Sequence, residues 1–263
     1  MSVKSRIAEL NARLATKLTA RGVTASEDET TTALINKVDD IPEGGGIDWS
    51  QWTDWRYFSY YDNRNDLVAK LKYSDTANGD NFGNMFYYCS KLTSIPQLDT
   101  SKGTNFANMF YDCKNLTSVP QLDTSKGTNF YQIFYNCKNL TSVPQLDTSK
   151  GTNFSFMFYD CNNLTTISLL NMSSVSGTNW NSVFYKCNAL ENVTFEGTIP
   201  VRGNMTVFST CPNLTVESLM SFINALTNMS DTVTYTITIG STNLAKLTEE
   251  QIQIATDKRI TLQ

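Results

Sequence analysis

Histidine is absent from all 263 residues. Its absence removes the commonest general base, the usual zinc ligand and the partner of most serine and cysteine nucleophiles, leaving only carboxylate chemistry open. Positive charge is also scarce: 21 Lys and Arg against 25 Asp and Glu give a net charge of -4 and a pI near 4.9. Wrapping a phosphate backbone needs clustered positive charge, so nucleic acid is not an expected partner. No 18 apolar residues run together, so no membrane insertion is expected. The opening MSVKSRIAELNARL carries charges where a secretory signal has its apolar stretch, so no signal peptide is read there. The expectation is a chain kept in a cytoplasm or carried out as part of something larger. What is present is apolar mass: 40% of the residues, enough for a real core.

That mass is periodic. Cys89, Cys113, Cys137, Cys161, Cys187 and Cys211 are spaced by 24, 24, 24, 26 and 24 residues. Successive units read NFANMFYDCKNLTSVPQLDTSKGT, NFYQIFYNCKNLTSVPQLDTSKGT and NFSFMFYDCNNLTTISLLNMSSVSGT. Self-similarity at a period of 20 to 30 signals stacked coils, none of which can bury its apolar face alone. Three residues after each Cys stands Leu92, Leu116, Leu140, Leu164, Leu190 or Leu214. Three before it stands Phe86, Phe110, Phe134, Phe158, Phe184 or Phe208. Both sets are expected to form interior ladders, with Ile95, Val119, Val143, Ile167 and Val193 as a third. Lone cysteines, one per unit, suit a column of buried thiols better than a metal site, which needs ligands close together. Disulfides remain an alternative, although they belong mainly to exported chains.

The string MFYxCxNLTSVPQL resembles the BspA-like leucine-rich repeats, over about residues 81 to 214. The resemblance implies an α/β leucine-rich-repeat solenoid of about five to six coils, each of 24 to 26 residues.

Flanking segments complete the expected organisation. Residues 1–42 read as a helical attachment or oligomerisation segment, with Ile7, Leu10, Leu14 and Leu18 forming one amphipathic stripe over residues 3 to 20. A second helix is expected between the cap at Ser26 and Pro42. Residues 43–80 hold the break Gly44-Gly45-Gly46, then Trp49, Trp52, Trp55 and nearby tyrosines, which suit either a sugar platform or a cap over the first coil; the cap is expected. Residues 215–263 read as an α/β cap: a helix over 215–228, a strand over 233–239, a helix started by the capping box Thr248/Gln251, and a strand over 260–262.

The two ends, GVTASEDETTTALINKVDDIP and LTVESLMSFINALTN through TITIGSTNLAKLTEEQIQIATDK, are similar to those of tail-associated proteins of bacteriophages infecting Gram-positive gut bacteria. Arg259-Ile260 departs from them, standing where those relatives usually carry Gly-Trp, a change expected to alter the packing of the final strand. The resemblance implies a non-enzymatic recognition protein of the virion, or of the host cytoplasm before assembly. Its N-terminal helices would dock on a tail or baseplate protein, or on a second copy. Its coils would contact a bacterial cell-surface glycan or protein. Competing readings are a bacterial adhesin, a structural spacer, and an intracellular phage protein that sequesters a host factor.

Candidate binding residues are those that recur between the ladders. Tyr87, Tyr111, Tyr135, Tyr159 and Tyr185 make one column, and Gln97, Gln121 and Gln145 another, beside Thr93, Thr117, Thr141 and Thr165. Aromatic rings with amides and hydroxyls suit sugars. Tyrosines that merely cover the coil joints, and hydroxyls that solvate the surface, would give the same columns. The near-verbatim units differ at Gly83-Asn84, Ala107-Asn108, Tyr131-Gln132, Ser155-Phe156 and Asn181-Ser182, where ligands could be distinguished or mere drift tolerated. Asp99, Asp123 and Asp147, each followed three residues on by a lysine, read as solvated turns with weak ion pairs rather than as glycosidase carboxylates. No catalytic residue, cofactor or metal is expected.

Overall fold

A computed structural model of the chain describes residues 3–19, 25–26, 76–176, 179–229 and 232–263. The expected second helix, the glycine break and the Trp49–Tyr61 cluster lie outside the described residues. The first helix, α1, spans Val3–Thr19; Leu14 and Leu18 are buried on it, as the stripe predicts, together with Asn11 and Ala15.

From Thr76 onward the backbone runs as coils that hydrogen-bond to one another. Linked turns precede each Cys: Met85 N donates to Phe82 O at 3.1 Å and Cys89 N to Phe86 O at 3.2 Å. Alternate amides are left over, and these reach the following coil. Phe82, Asn84, Phe86 and Tyr88 donate to the carbonyls of Asn105, Ala107, Met109 and Tyr111 at 2.8 to 2.9 Å. The pattern repeats to Asp160 N, which donates to Tyr185 O at 2.7 Å. These buried amides are thereby paired, as a dry interior demands.

The half of the coil after each Cys from Cys89 to Cys187 holds no helix, and in the first three coils proline interrupts it. Pro96, Pro120 and Pro144 have no N–H to give a neighbour. Where Ser168 and Thr194 take that place, strands form: β1 (Thr166–Asn171) pairs in parallel with β2 (Asn192–Glu196), with Ile167 opposite Val193. The first three coils then turn at a glycine with little room: a Cβ on Gly103, Gly127 or Gly151 would stand 2.6, 2.5 or 2.1 Å from the Phe106, Phe130 or Phe154 ring.

The interior carries the expected ladders. The Leu, Phe and Ile/Val columns are buried throughout, and the Phe86–Phe110–Phe134–Phe158–Phe184–Phe208 rings stack at 5.2 to 6.1 Å. All six cysteines are free and buried, which settles the disulfide alternative. Five thiols donate to the carbonyl of the Phe in the preceding coil at 3.0 to 3.1 Å, as Cys137 does to Phe110. A second, unanticipated column, Phe82–Phe106–Phe130–Phe154, stacks at 5.6 to 5.8 Å. Trp180 holds the corresponding place in the next coil, buried and tilted against Phe222.

The end of the stack is closed by α2 (Val216–Ala225), whose Phe222 meets Phe208 at 5.1 Å and Phe195 at 5.4 Å. Thr215 caps it, accepting from Ser218 N. The helix stops earlier than its apolar spacing predicts because Leu226 leaves it to pair with Ile199. A parallel three-stranded sheet follows, in the order β3 (Met205–Thr206), β4 (Tyr235–Thr238), β5 (Ile260–Leu262). Two helices join its last strands: α3 (Ser241–Leu244) and α4 (Glu249–Asp257). The expected Thr248/Gln251 capping box is present on α4.

Candidate binding surface

The tyrosine column is real, and its geometry decides what it can offer. Successive rings from Tyr87 to Tyr185 lie 4.6 to 4.8 Å apart, close to the spacing of neighbouring strands, and are half-buried. Ring faces within the column cover one another. What remains for a ligand is a row of ring edges and phenol oxygens, with Tyr88 packed edge-on against Tyr87. Burial pushes the Tyr111 and Tyr135 phenols above their ordinary value, so these two hydroxyls stay protonated.

The glutamines are exposed, and the side chains of Gln97 and Gln121 are occupied. Gln97 Nε2 donates to Gln121 O, and Gln121 Nε2 to Gln145 O at 2.7 Å and to Leu122 O at 3.1 Å. Their amides therefore staple one coil to the next. They line an open groove of about 960 Å³ together with Asp123, Asp147, Asn171 and Glu196, which make it polar and acidic. The expected Asp–Lys pairing is replaced here by serine. Asp123 Oδ1 accepts from Ser125 N and Oγ at 3.0 and 2.7 Å, and Asp147 does the same with Ser149. These bonds hold both carboxyls below their ordinary value, the serine hydroxyl contributing most. Lysine ion pairs lie elsewhere on the described coils, as between Lys114 and Asp112 at 3.1 Å and between Lys138 and Asp160 at 3.4 Å. Thr117, Thr141 and Thr165 are exposed, each hydroxyl donating to the carbonyl of the threonine one coil back.

The variable pairs fall in the linked turns, and their second member always has a left-handed backbone. Its φ is 60° at Asn84, 57° at Asn108, 54° at Gln132, 59° at Phe156 and 52° at Ser182. Asparagine tolerates this region; glutamine and phenylalanine do so at a cost. Phe156 meets Tyr131 edge to face at 6.2 Å and Tyr159 at 5.8 Å, forming a small aromatic group on the fourth coil. A second cleft, of about 620 Å³, lies between Phe156, the following coil and the C-terminal sheet. Sequence reasoning marks Phe156 but none of the cap residues beside it. The period stops at Cys211, so nothing in the spacing says which threonines of the cap return to the coils.

Two repeated features were not legible as functional or structural positions. Asn105, Asn129 and Asn153 each accept through Oδ1 from the amide two residues on at 3.1 Å, as Asn81 does, and this column runs along the bridges between coils. Thr76, Thr100, Thr124 and Thr148 are buried, their hydroxyls bridging adjacent coils at 2.8 to 2.9 Å. Among the described residues no three Cys, Asp or Glu side chains gather as metal ligands would, and no helix is long and apolar enough to cross a membrane.

Comparison with known families agrees with this architecture. A model described as "BspA type Leucine rich repeat region (6 copies)" matches residues 155–250. A model described as "Mycoplasma protein of unknown function, DUF285" matches residues 56–166 and 80–197, together more than half of the chain. No curated protein and no solved structure matches significantly. With coils repeating every 24 residues and both models laid over them, the chain belongs to the DUF285 family and carries BspA-type leucine-rich repeats.

Proposed function

We propose that the chain is a non-enzymatic binding module whose coils form one solenoid and present a repetitive surface to a bacterial cell-surface glycan or protein. Leucine-rich repeats of the BspA type point to interaction or surface binding. The observation that carries the reading is the exact recurrence of outward groups: tyrosine edges at 4.6 to 4.8 Å intervals and a polar groove lined by Gln97, Gln121 and Gln145. Repeated weak contacts along such a surface add up in avidity when the ligand is itself repetitive. In this reading the segment 1–42 attaches the module to a phage tail or baseplate protein, or to a second copy. The amphipathic α1 and the resemblance of the chain's ends support that docking role. Incubating purified protein with Gram-positive gut bacteria and measuring retention on washed cells tests the binding role. Retention abolished by prior removal of surface polysaccharide or protein is expected, and no retention on any strain favours a structural spacer. Mass spectrometry of purified phage particles tests the docking.

A further inference from the structure

We infer that the cleft between the fourth coil and the C-terminal sheet is a carbohydrate-binding site, with the Phe156 ring as platform for one neutral pyranose. The inference rests on the surface-binding reading above and narrows it to a place and a ligand class.

The column in which Phe156 stands runs Asn84, Asn108, Gln132, Phe156, Ser182 and Thr206. The largest side chain is therefore followed by one of the smallest. The ring contacts made by Phe156 are to Tyr131 of the preceding coil and Tyr159 of its own. Toward the following coil the step down to Ser182 leaves open volume, which is the 620 Å³ cleft. A phenylalanine at φ 59° is an unfavourable choice for the backbone, where the first two coils use asparagine.

The walls complete the chemistry. Asn181, Ser182, Thr206, Thr236, Thr238 and Gln263 line the cleft, and no hydrogen bond within the described residues uses their side chains. Asn204 Oδ1 is held by Thr236 N at 2.8 Å, which fixes the loop before β3 beside β4. No charged side chain is among the described residues lining the cleft, in contrast to the acidic groove around Asp123 and Asp147. A charged ligand would leave water without compensation here. A lipid or apolar peptide would meet hydroxyls and amides on most sides. A neutral sugar offers what fits: an apolar C–H face for the ring and hydroxyls for the threonines and amides.

The test uses the full chain and Phe156→Asn, which restores the residue found at Asn84 and Asn108 and suits the backbone. The variant is therefore expected to melt no lower than wild type. Both proteins are titrated with neutral oligosaccharides of glucose, galactose and N-acetylglucosamine, followed by calorimetry and amide shifts. Wild type is expected to bind at least one, with shifts at Ser182, Thr236 and Thr238, and the variant to bind about tenfold more weakly or not at all. Thr238→Val, which keeps a strand-forming side chain, should weaken binding in the same direction and serves if Phe156→Asn misfolds. Equal binding by all three proteins overturns the cleft while leaving surface binding by the coils in place. Wild type that is retained on cells but binds none of these sugars overturns the ligand class alone. Wild type that binds neither sugars nor cells overturns the surface-binding reading as well.

Discussion

At the scale of single residues the fold is governed by backbone conformation. Among the described residues eleven non-glycine positions have positive φ, and ten stand either one or five residues before a Cys, so the turn geometry, not chance, puts them there. Asn and Asp fill five of these places; Tyr88, Gln132, Phe156, Ser182 and Lys186 fill the rest and leave room for improvement. The eleventh, Arg259 at φ 61°, follows α4 where a helix most often ends in glycine. Its strand partner is intact, since Ile260 pairs with Tyr235, so the expected disturbance of the last strand is met as backbone strain one residue earlier. Arg259→Gly should therefore stabilise the chain by about 1 kcal/mol, seen as a raised Tm; an unchanged or lower Tm would count against the assignment. The thiols make a second prediction. Burial is the main reason that Cys113, Cys137, Cys161 and Cys187 stay protonated well above their ordinary range, and Cys211 is pushed up to about 12. Unfolded thiols ionise near 9 while folded ones do not, so stability is complete below that pH and falls as pH rises above it. The slope should approach about 1.4 kcal/mol per pH unit for each thiol. Denaturation followed between pH 8 and 10.5 reads it, and alkylating reagents should label these cysteines only on unfolding.

At the scale of the element, the coil is held by side chains that link it to its neighbours. Thr124 Oγ1 donates to Asp147 O at 2.9 Å from a buried position, so Thr124→Val, which keeps the shape, should cost about 1 to 3 kcal/mol in a denaturant titration. The Asx turns beneath it respond to acid. Asp123 and Asp147 titrate below their ordinary 3.8, so their contribution is present above that pH and is lost as pH falls through the lowered values. Ser125→Ala with Ser149→Ala should flatten the loss of stability between pH 4 and 2. How much of the coil the sequence discloses follows from the same physics. The thiol, Leu and Phe86-type ladders were legible because period and apolarity coincide at those positions. The Phe82-type column was missed although it is equally apolar, because TNF reads as the end of a polar turn. The buried threonines and the Asn column were hidden for a related reason: a period marks every recurring residue alike, and only the fold says which faces inward. Within the coils, strands appear only where proline is replaced. The candidate surface was legible as columns but not as chemistry. Spacing found Tyr111 and Gln121, while stacking and the amide staples decide which of their atoms remain for a ligand.

At the scale of the whole molecule, stability is carried from coil to coil. Each one touches mainly its neighbours, so the number of coils is adjustable in a way that the core of a globular domain is not. Removing residues 105–128 joins Thr104 to Asn129 in the same register that Thr104 and Asn105 occupy now. The shortened chain should fold, keep its stacked phenylalanines and lose stability roughly in proportion, measured as a lower denaturation midpoint with a smaller m-value. An unfolded product would show that the coils are not equivalent units. The thiol column carries one more consequence. Every sulfur it contains is sealed from solvent, and those from Cys113 to Cys211 are each engaged with a main-chain oxygen. The scaffold thus asks nothing of its surroundings: no oxidase to mature it, no reductant to keep it whole. Melting with and without dithiothreitol should coincide, and a body of this kind can be assembled under reducing conditions and put to use under oxidising ones with its interior unaltered.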